Sequence, residues 1–384
     1  MGGEQRAEVP LVRNDFVPAA NMGESGLSVA GTPDAWTSAG SFIPPSIDRA
    51  RLLSGESYAY YSPFPLASTG RSSQVTGDNH TITADFSTPS TSSSPSYFVL
   101  GVDEAGRGPV LGPMVYSAFY IPHTLHHSLL ARDYSFNDSK VLTPGVRANL
   151  MRLLCTAGNP LHASCGWATK VLSARDISAG MMRPTSGAYN LNAQAMDATV
   201  EIIRGIVEER RVDIREVYID TIGNPATYQQ KLERIFPTLK ITVAKKADAL
   251  YPCVSAASVV AKVTRDMALE FCHEAVYGLQ RYEAPSMEVA TDSWGSGYPS
   301  DSKCVSWLRN HMDPIFGWGN ECRFSWGTAK EMLELKGGTR VDWPVEEEGA
   351  APIKDFLLTT ARNAKRTEQD ELREWFGRRS TEVL

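Results

Sequence analysis

The sequence predicts an α/β protein in which a mixed β-sheet is flanked by helices, with a C-terminal helical extension. Three observations predict it. Short apolar runs at 97–103, 114–121 and 162–172 read as strands that come close together. Beyond them, strand-like runs at 216–220 and 240–245 alternate with helical patterns, and neighbouring strands followed by βα alternation imply mixed pairing with helices on both faces. A hydrophobic fraction of 42% over 384 residues supplies a sizeable core, with room for long extensions.

Taken in order, residues 1–96 form a leader rich in Ser, Gly, Pro and Thr that culminates in STPSTSSSP (87–95); with little sustained apolar periodicity, disorder is expected. The folded domain is expected over 97–335. Its first strand delivers two adjacent carboxylates, Asp103 and Glu104, into the glycine-bracketed turn Gly106-Arg107-Gly108. After the second strand comes a helix at about 144–154, with Thr143 as N-cap and Pro144 at its first position. A long amphipathic helix at about 188–211 precedes the 216–220 strand, and Asn224-Pro225 opens the next helix. The last long helix covers about 251–277, and its Ser255-Ala256-Ala257-Ser258 stretch keeps one side thin for close packing on the sheet. Residues 280–294 read as a polar, mobile insertion. From 336 to 384, the acidic Glu346-Glu347-Glu348 stretch leads into an expected helix at 355–376 suited to docking a partner.

Composition narrows the function classes. A net charge of −6 argues against a protein that coats nucleic acid non-specifically, while leaving room for a local basic surface. The six cysteines are scattered, with no Cys-x-x-Cys pair of the kind zinc sites use, so reduced thiols in an intracellular protein are expected. No apolar stretch approaches the roughly 20 residues that span a bilayer. No secretory signal opens the chain, and its N-terminus is too acidic for an organellar transit peptide. A nuclear location, with a cytosolic pool, is the expectation.

The acids carry the chemistry. Asp103 and Glu104 end the first strand, Asp220 ends the 216–220 strand, and Asp248 lies at the start of a helix. Each has a bland explanation taken singly: a polar turn, a solvated strand end, a helix cap. Together they would converge four carboxylates on the carboxyl edge of the sheet, where α/β folds place ligands. Such a cluster repels itself and needs cations, and an all-oxygen ligand set suits two Mg²⁺ or Mn²⁺ ions. Two ions about 3.5–4 Å apart activate water and stabilise a leaving oxygen in phosphodiester hydrolysis.

The strings DEAGRGP (103–109), DSK (138–140), YIDTIGNP (218–225), KADALYPCVSAASVVAKVTRD (246–266) and GSGYPSD (295–301), with FGWGNECRFSWGTA (316–329) near the end, occur in one order. This ordered set closely resembles the catalytic subunit of type 2 ribonuclease H, in its eukaryotic form. The resemblance covers residues 97–335 and implies a ribonuclease H-like fold that cleaves RNA in RNA–DNA hybrids and incises duplex DNA 5′ of a single ribonucleotide. It carries a metal-binding tetrad onto Asp103, Glu104, Asp220 and Asp248. It also implies that Gly106, Arg107 and Gly108 meet the ribonucleotide 2′-hydroxyl through their backbone, and that Tyr298 lies on the following deoxyribose. The 2′-hydroxyl distinguishes RNA from DNA at one position, and a narrow glycine turn can offer it donor and acceptor together.

By the same resemblance, Lys140 and Arg107 contact phosphate, and Arg265 has a phosphate or supporting role. Phosphate contacts hold register without reading sequence. Two non-catalytic partner subunits, forming a heterotrimer, are also implied. The histidines lack a metal-ligand context and are expected to be structural or exposed. A type 3 ribonuclease H shares the acidic core but is disfavoured by the arginine inside Gly106-Arg107-Gly108 and by the C-terminal motif. A non-catalytic hybrid-binding scaffold is disfavoured by the presence of all four carboxylates.

Overall fold

The strand-forming runs join one sheet. The computed structural model describes residues 42–65, 97–136, 142–183, 189–221, 223–283, 293–335 and 339. Its strands are β1 (Tyr58–Tyr61), β2 (Phe98–Ala105), β3 (Met114–Pro122), β4 (Gly166–Leu172), β5 (Ile214–Asp220) and β6 (Lys240–Ala244). They lie in the order β1-β4-β3-β2-β5-β6. The β1-β4, β4-β3 and β3-β2 pairs are antiparallel, whereas β5 and β6 run parallel to β2. The expected mixed sheet is therefore present, with the acid-bearing strand β2 in its interior.

Helices start where side chains can satisfy their orphan N–H groups. Asp48 caps α1 (Arg49–Ser54) and Thr143 caps α2 (Pro144–Cys155). Asn159 caps α3 (Pro160–Ser164), and Ser173 caps α4 (Ala174–Met181). Asn190 caps α5 (Leu191–Arg204), and Asn224 caps α6 (Pro225–Ile235). The four-residue α7 (Ala247–Leu250) leads into α8 (Pro252–Glu283), and α9 (Ser302–Asn310) and α10 (Gly327–Leu335) close the described chain.

The period-2 alternation of β2 divides the core. Phe98, Leu100 and Val102 pack with Ala195, Ile202 and Ile203 of α5 and Leu232 of α6. Val99, on the other face, packs with Ala256, Val259 and Val260 of α8 and with Met151 and Leu154 of α2. Gly101 makes the α8 contact possible, because a Cβ there would lie 2.3 Å from the Cys253 carbonyl. The thin side expected of α8 is realised, with Ser255, Ala256, Ala257 and Ser258 all buried. A third cluster joins Val110 and Leu111 to Trp294, Trp307, Leu308 and Met332 and holds α9 and α10 against the end of the sheet.

Three sequence expectations are corrected. The 1–96 leader is not structureless throughout. Residues 42–65 fold onto the domain, and β1 pairs with β4 as the sheet's edge strand, tied by Ser46 to Thr264 (2.8 Å) and by Ser57 to Asp176 (2.6 Å). The third strand begins at Gly166 rather than 162, because Asn159-Pro160 starts a short helix there. The expected insertion at 280–294 is narrower at both ends, since α8 runs to Glu283 and Trp294 is fully buried in the third cluster, while 284–292 lie outside the described residues. The expected docking helix at 355–376 lies outside the described residues.

Candidate active site

Neighbouring residues of a strand point to opposite faces, so Asp103 and Glu104 straddle the carboxyl end of β2. Asp103 is buried on the α8 side, where Ser258 and the Glu104 N–H (2.7 Å) donate to its carboxylate. Glu104 is half-buried on the opposite side, facing Arg107. The parallel pairing of Val102 with Ile219 brings Asp220 to the same sheet end, and its Oδ1 accepts from the Ala247 N–H at 2.9 Å. That bond fixes the start of α7, which carries buried Asp248 in its first turn. Lys246 occupies the cap position in the left-handed region (φ 57°), so Asp248 is not the cap.

Burial, and then mutual repulsion, push two of these acids upward. Asp103 is raised by desolvation and by Asp220 and Asp248; Glu104 is raised by desolvation, Asp103 and Asp220. A site that resists its own ionisation is one that a cation would relieve. Among the described residues no three acidic, histidine or cysteine side chains already close into a coordination shell. The donor set is nonetheless all oxygen and electrostatically coupled, which fits a hard divalent cation.

The turn after β2 is held from beneath by a residue that sequence reasoning did not single out. Arg323 is fully buried and donates Nη2–H to the Gly106 carbonyl (2.6 Å), Nη1–H to the Arg107 carbonyl (3.0 Å) and Nε–H to the Gly112 carbonyl (3.0 Å). Trp326 donates its indole N–H to the Gly108 carbonyl at 2.9 Å. Burial and nearby Arg265 push the Arg323 guanidinium down to about 9, which leaves it cationic at neutral pH. Each of the three turn carbonyls thus accepts one hydrogen bond from within the protein. Gly106 sits at φ +79°, and a Cβ there would meet the Pro113 carbonyl oxygen at 2.7 Å. The FGWGNECRFSWGTA string contained Arg323 and Trp326, but nothing in it pointed to contacts so distant in sequence.

Tyr298 lies against the same turn. The nearest atom to a Cβ at Gly108 would be Tyr298 Cε1, at 3.1 Å, and the residue is 38% exposed. Its loop is shaped by Asp301, which accepts from the Ser296 N–H (2.7 Å) and hydroxyl (2.8 Å) and caps α9. Val110 N–H and Leu111 N–H both donate to the Gly297 carbonyl, at 2.9 and 3.2 Å, so turn and loop are joined by backbone. Arg265 lies between them. It is buried, donates to the Ser296 carbonyl (2.5 Å) and to Asp266 (2.9 Å), and stands 5.7 Å from the Tyr298 ring centroid. Through these contacts Arg265 braces the loop that carries Tyr298.

A cleft of about 220 Å³ opens beside Glu104 and Asp220, lined by Arg107, Asn192, Tyr228 and Lys231 among others. Arg107 bonds Asn192 across it. Asn192 was likewise not anticipated from the sequence. Lys140 lies outside the described residues. Of the histidines, His126 is buried and accepts the Cys253 N–H, while His273 and His311 pack on Trp294 and Trp307. All six cysteines are unpaired, and no described helix is long and apolar enough to cross a membrane.

Comparison with known proteins bears on this site. The family model for ribonuclease HII matches residues 100–329, which include all four carboxylates, the turn, Tyr298 and Arg323. The A-type subunit of Neurospora crassa ribonuclease H2 is 55% identical over 346 residues, spanning 90% of this chain and 97% of that protein. The Schizosaccharomyces pombe protein of the same name is 39% identical and covers 88% of each chain. The Homo sapiens protein of the same name is also 39% identical, over 70% of this chain and 84% of its own.

Proposed function

Since this chain belongs to the ribonuclease HII family, and is a ribonuclease H of the A-subunit type that works in a multi-subunit complex, we propose that it hydrolyses RNA in RNA–DNA hybrids and incises duplex DNA 5′ of single ribonucleotides, leaving a 3′-hydroxyl and a 5′-phosphate. The observation that carries this reading is the convergence of Asp103, Glu104, Asp220 and Asp248 at one sheet end, two of them held above the ordinary carboxylate range. These four would hold two Mg²⁺ or Mn²⁺ ions, which supply charge neutralisation and an activated water at the scissile phosphate. Ser258 and the Ala247 N–H fix two of the carboxylates in orientation before any ion arrives. The Gly106-Arg107-Gly108 turn would meet the 2′-hydroxyl, and Tyr298, packed on Gly108, would rest on the next sugar, where a deoxyribose fits and a 2′-hydroxyl crowds. Arg107 and Lys140 would contact phosphate, so affinity falls with salt and depends little on base sequence.

In this reading two non-catalytic subunits complete a heterotrimer, with docking assigned to residues 336–384. Ribonucleotide removal during DNA replication and repair puts the enzyme in the nucleus, with a cytosolic pool.

The test is Mg²⁺-dependent cleavage of a DNA duplex carrying one ribonucleotide, with the full complex and with its Asp248→Asn variant. We expect incision 5′ of the ribonucleotide, lowered by roughly 100-fold or more in the variant through loss of charge at the metal site. Binding without cleavage by the unaltered complex would favour the scaffold reading. Cleavage confined to long hybrids would remove the junction role from Tyr298.

A further inference from the structure

The carbonyls of Gly106, Arg107 and Gly108 are all bonded to one short segment, Arg323 through Trp326, which lies more than 200 positions away in sequence. In a trans peptide the C=O and the following N–H point in opposite directions. Drawing the Gly106 carbonyl toward Arg323 therefore turns the Arg107 N–H to the opposite side, and drawing the Arg107 carbonyl does the same for the Gly108 N–H. Pro109 has no N–H to add. The turn is left with a pair of donors on the side away from Arg323, fixed by a fully buried guanidinium whose fork matches the separate carbonyls.

Resting on the reading that this turn recognises the ribonucleotide, we propose that Arg323, assisted by Trp326, is the positioning residue for ribose recognition: it sets the peptide planes so that the Arg107 and Gly108 N–H groups donate to the 2′ oxygen. Arg323 touches no substrate in this scheme. It acts through the turn, and the turn's bond to the 2′ oxygen is what separates ribose from deoxyribose. Trp326 is only half-buried, bonds the Gly108 carbonyl at the end of the turn and has its ring centroid 4.8 Å from the Arg323 guanidinium carbon, so altering it perturbs the device more mildly, by loosening the arginine. Because Gly108 also supports the Tyr298 ring, a displaced turn disturbs both readers of the junction.

The decisive measurement is equilibrium binding of the full complex to a DNA duplex with one ribonucleotide and to the same duplex in all-DNA form. Ca²⁺ replaces Mg²⁺ so that binding is read without cleavage. The readout is the ratio of the two dissociation constants. A variant that merely loses active protein lowers both affinities together and leaves the ratio unchanged. We expect Arg323→Gln to reduce the ratio about tenfold, the scale of one well-oriented hydrogen bond. Trp326→Phe, which keeps the buried arginine, should reduce it about two- to fivefold, and it decides the question if Arg323→Gln does not fold by circular dichroism. If the unaltered complex prefers the ribonucleotide duplex and the folded variants keep its full preference, the positioning role is wrong while the reading of the turn stands. If the unaltered complex shows no preference, that reading falls and the inference falls with it.

Discussion

Asp103 and Glu104 show how two adjacent residues acquire different surroundings from a single strand end. Asp103 faces α8 and is bonded by Ser258, whereas Glu104 faces the cleft and Arg107, yet burial raises the proton affinity of both, with Asp220 and Asp248 adding to it at Asp103 and Asp103 and Asp220 adding to it at Glu104. The consequence for metal-free protein has a definite sign. A carboxylate raised above its unfolded value binds more protons in the native state, so its contribution to stability falls as pH rises from the ordinary carboxylate range near 4 through neutrality. A divalent cation favours the ionised form and reverses that loss. Thermal unfolding with and without Mg²⁺ should therefore show little difference at pH 5 and a widening difference, reaching several degrees, by pH 8. A metal effect that is equal at both pH values would mean that these two acids do not control the binding.

At the scale of elements, α8 is the part on which the site depends. It packs on β2 through the gap left by Gly101, presents Ser258 to Asp103, and carries Arg265 to the Tyr298 loop. Its N-terminus is capped from outside. His126, in the π-helical turn His126–Asp133, accepts the Cys253 N–H on Nε2 at 3.2 Å and is held neutral, its pKa lowered to about 4 by burial and by His127 and His123. A protonated imidazole would lose that acceptor and would place positive charge at a helix N-terminus. Because the folded-state pKa is lowered, the native state binds fewer protons than the unfolded chain, and stability declines as pH falls from about 6.5 to about 4. His126→Ala should cost about 1–2 kcal/mol at neutral pH. It should also flatten that acid decline in urea unfolding measured from pH 7 to 4.5; a decline as steep as in the unaltered chain would place its origin elsewhere.

Over the whole molecule, the domain begins earlier than its composition suggested. Residues 42–65 bury Ile43, Leu52 and Tyr58 and cover the outer edge of β4. A chain starting at Tyr97 would lose these contacts and expose an unpaired strand edge, a template for aggregation. We expect it to be less stable by roughly 3–5 kcal/mol, from burial of three apolar side chains and the bonds around them, and to show concentration-dependent association in light scattering. Unchanged stability would mean that β1 is an accessory strand.

The sequence by itself determined the mixed sheet, the expected cap at Thr143, and the placing of Asp103, Glu104, Asp220 and Asp248 at strand ends and a helix start. These depend on alternation, capping and turn chemistry, which act over a few residues and leave a local pattern. Only the tertiary structure decided that Arg323 grips the turn from 217 positions beyond Gly106, that Ser46 bonds Thr264, and that His126 caps α8 from 127 positions before Cys253. A buried polar group must find a partner when water is withdrawn, but the partner is set by which surfaces the fold brings together. No neighbouring residue in the chain carries that information.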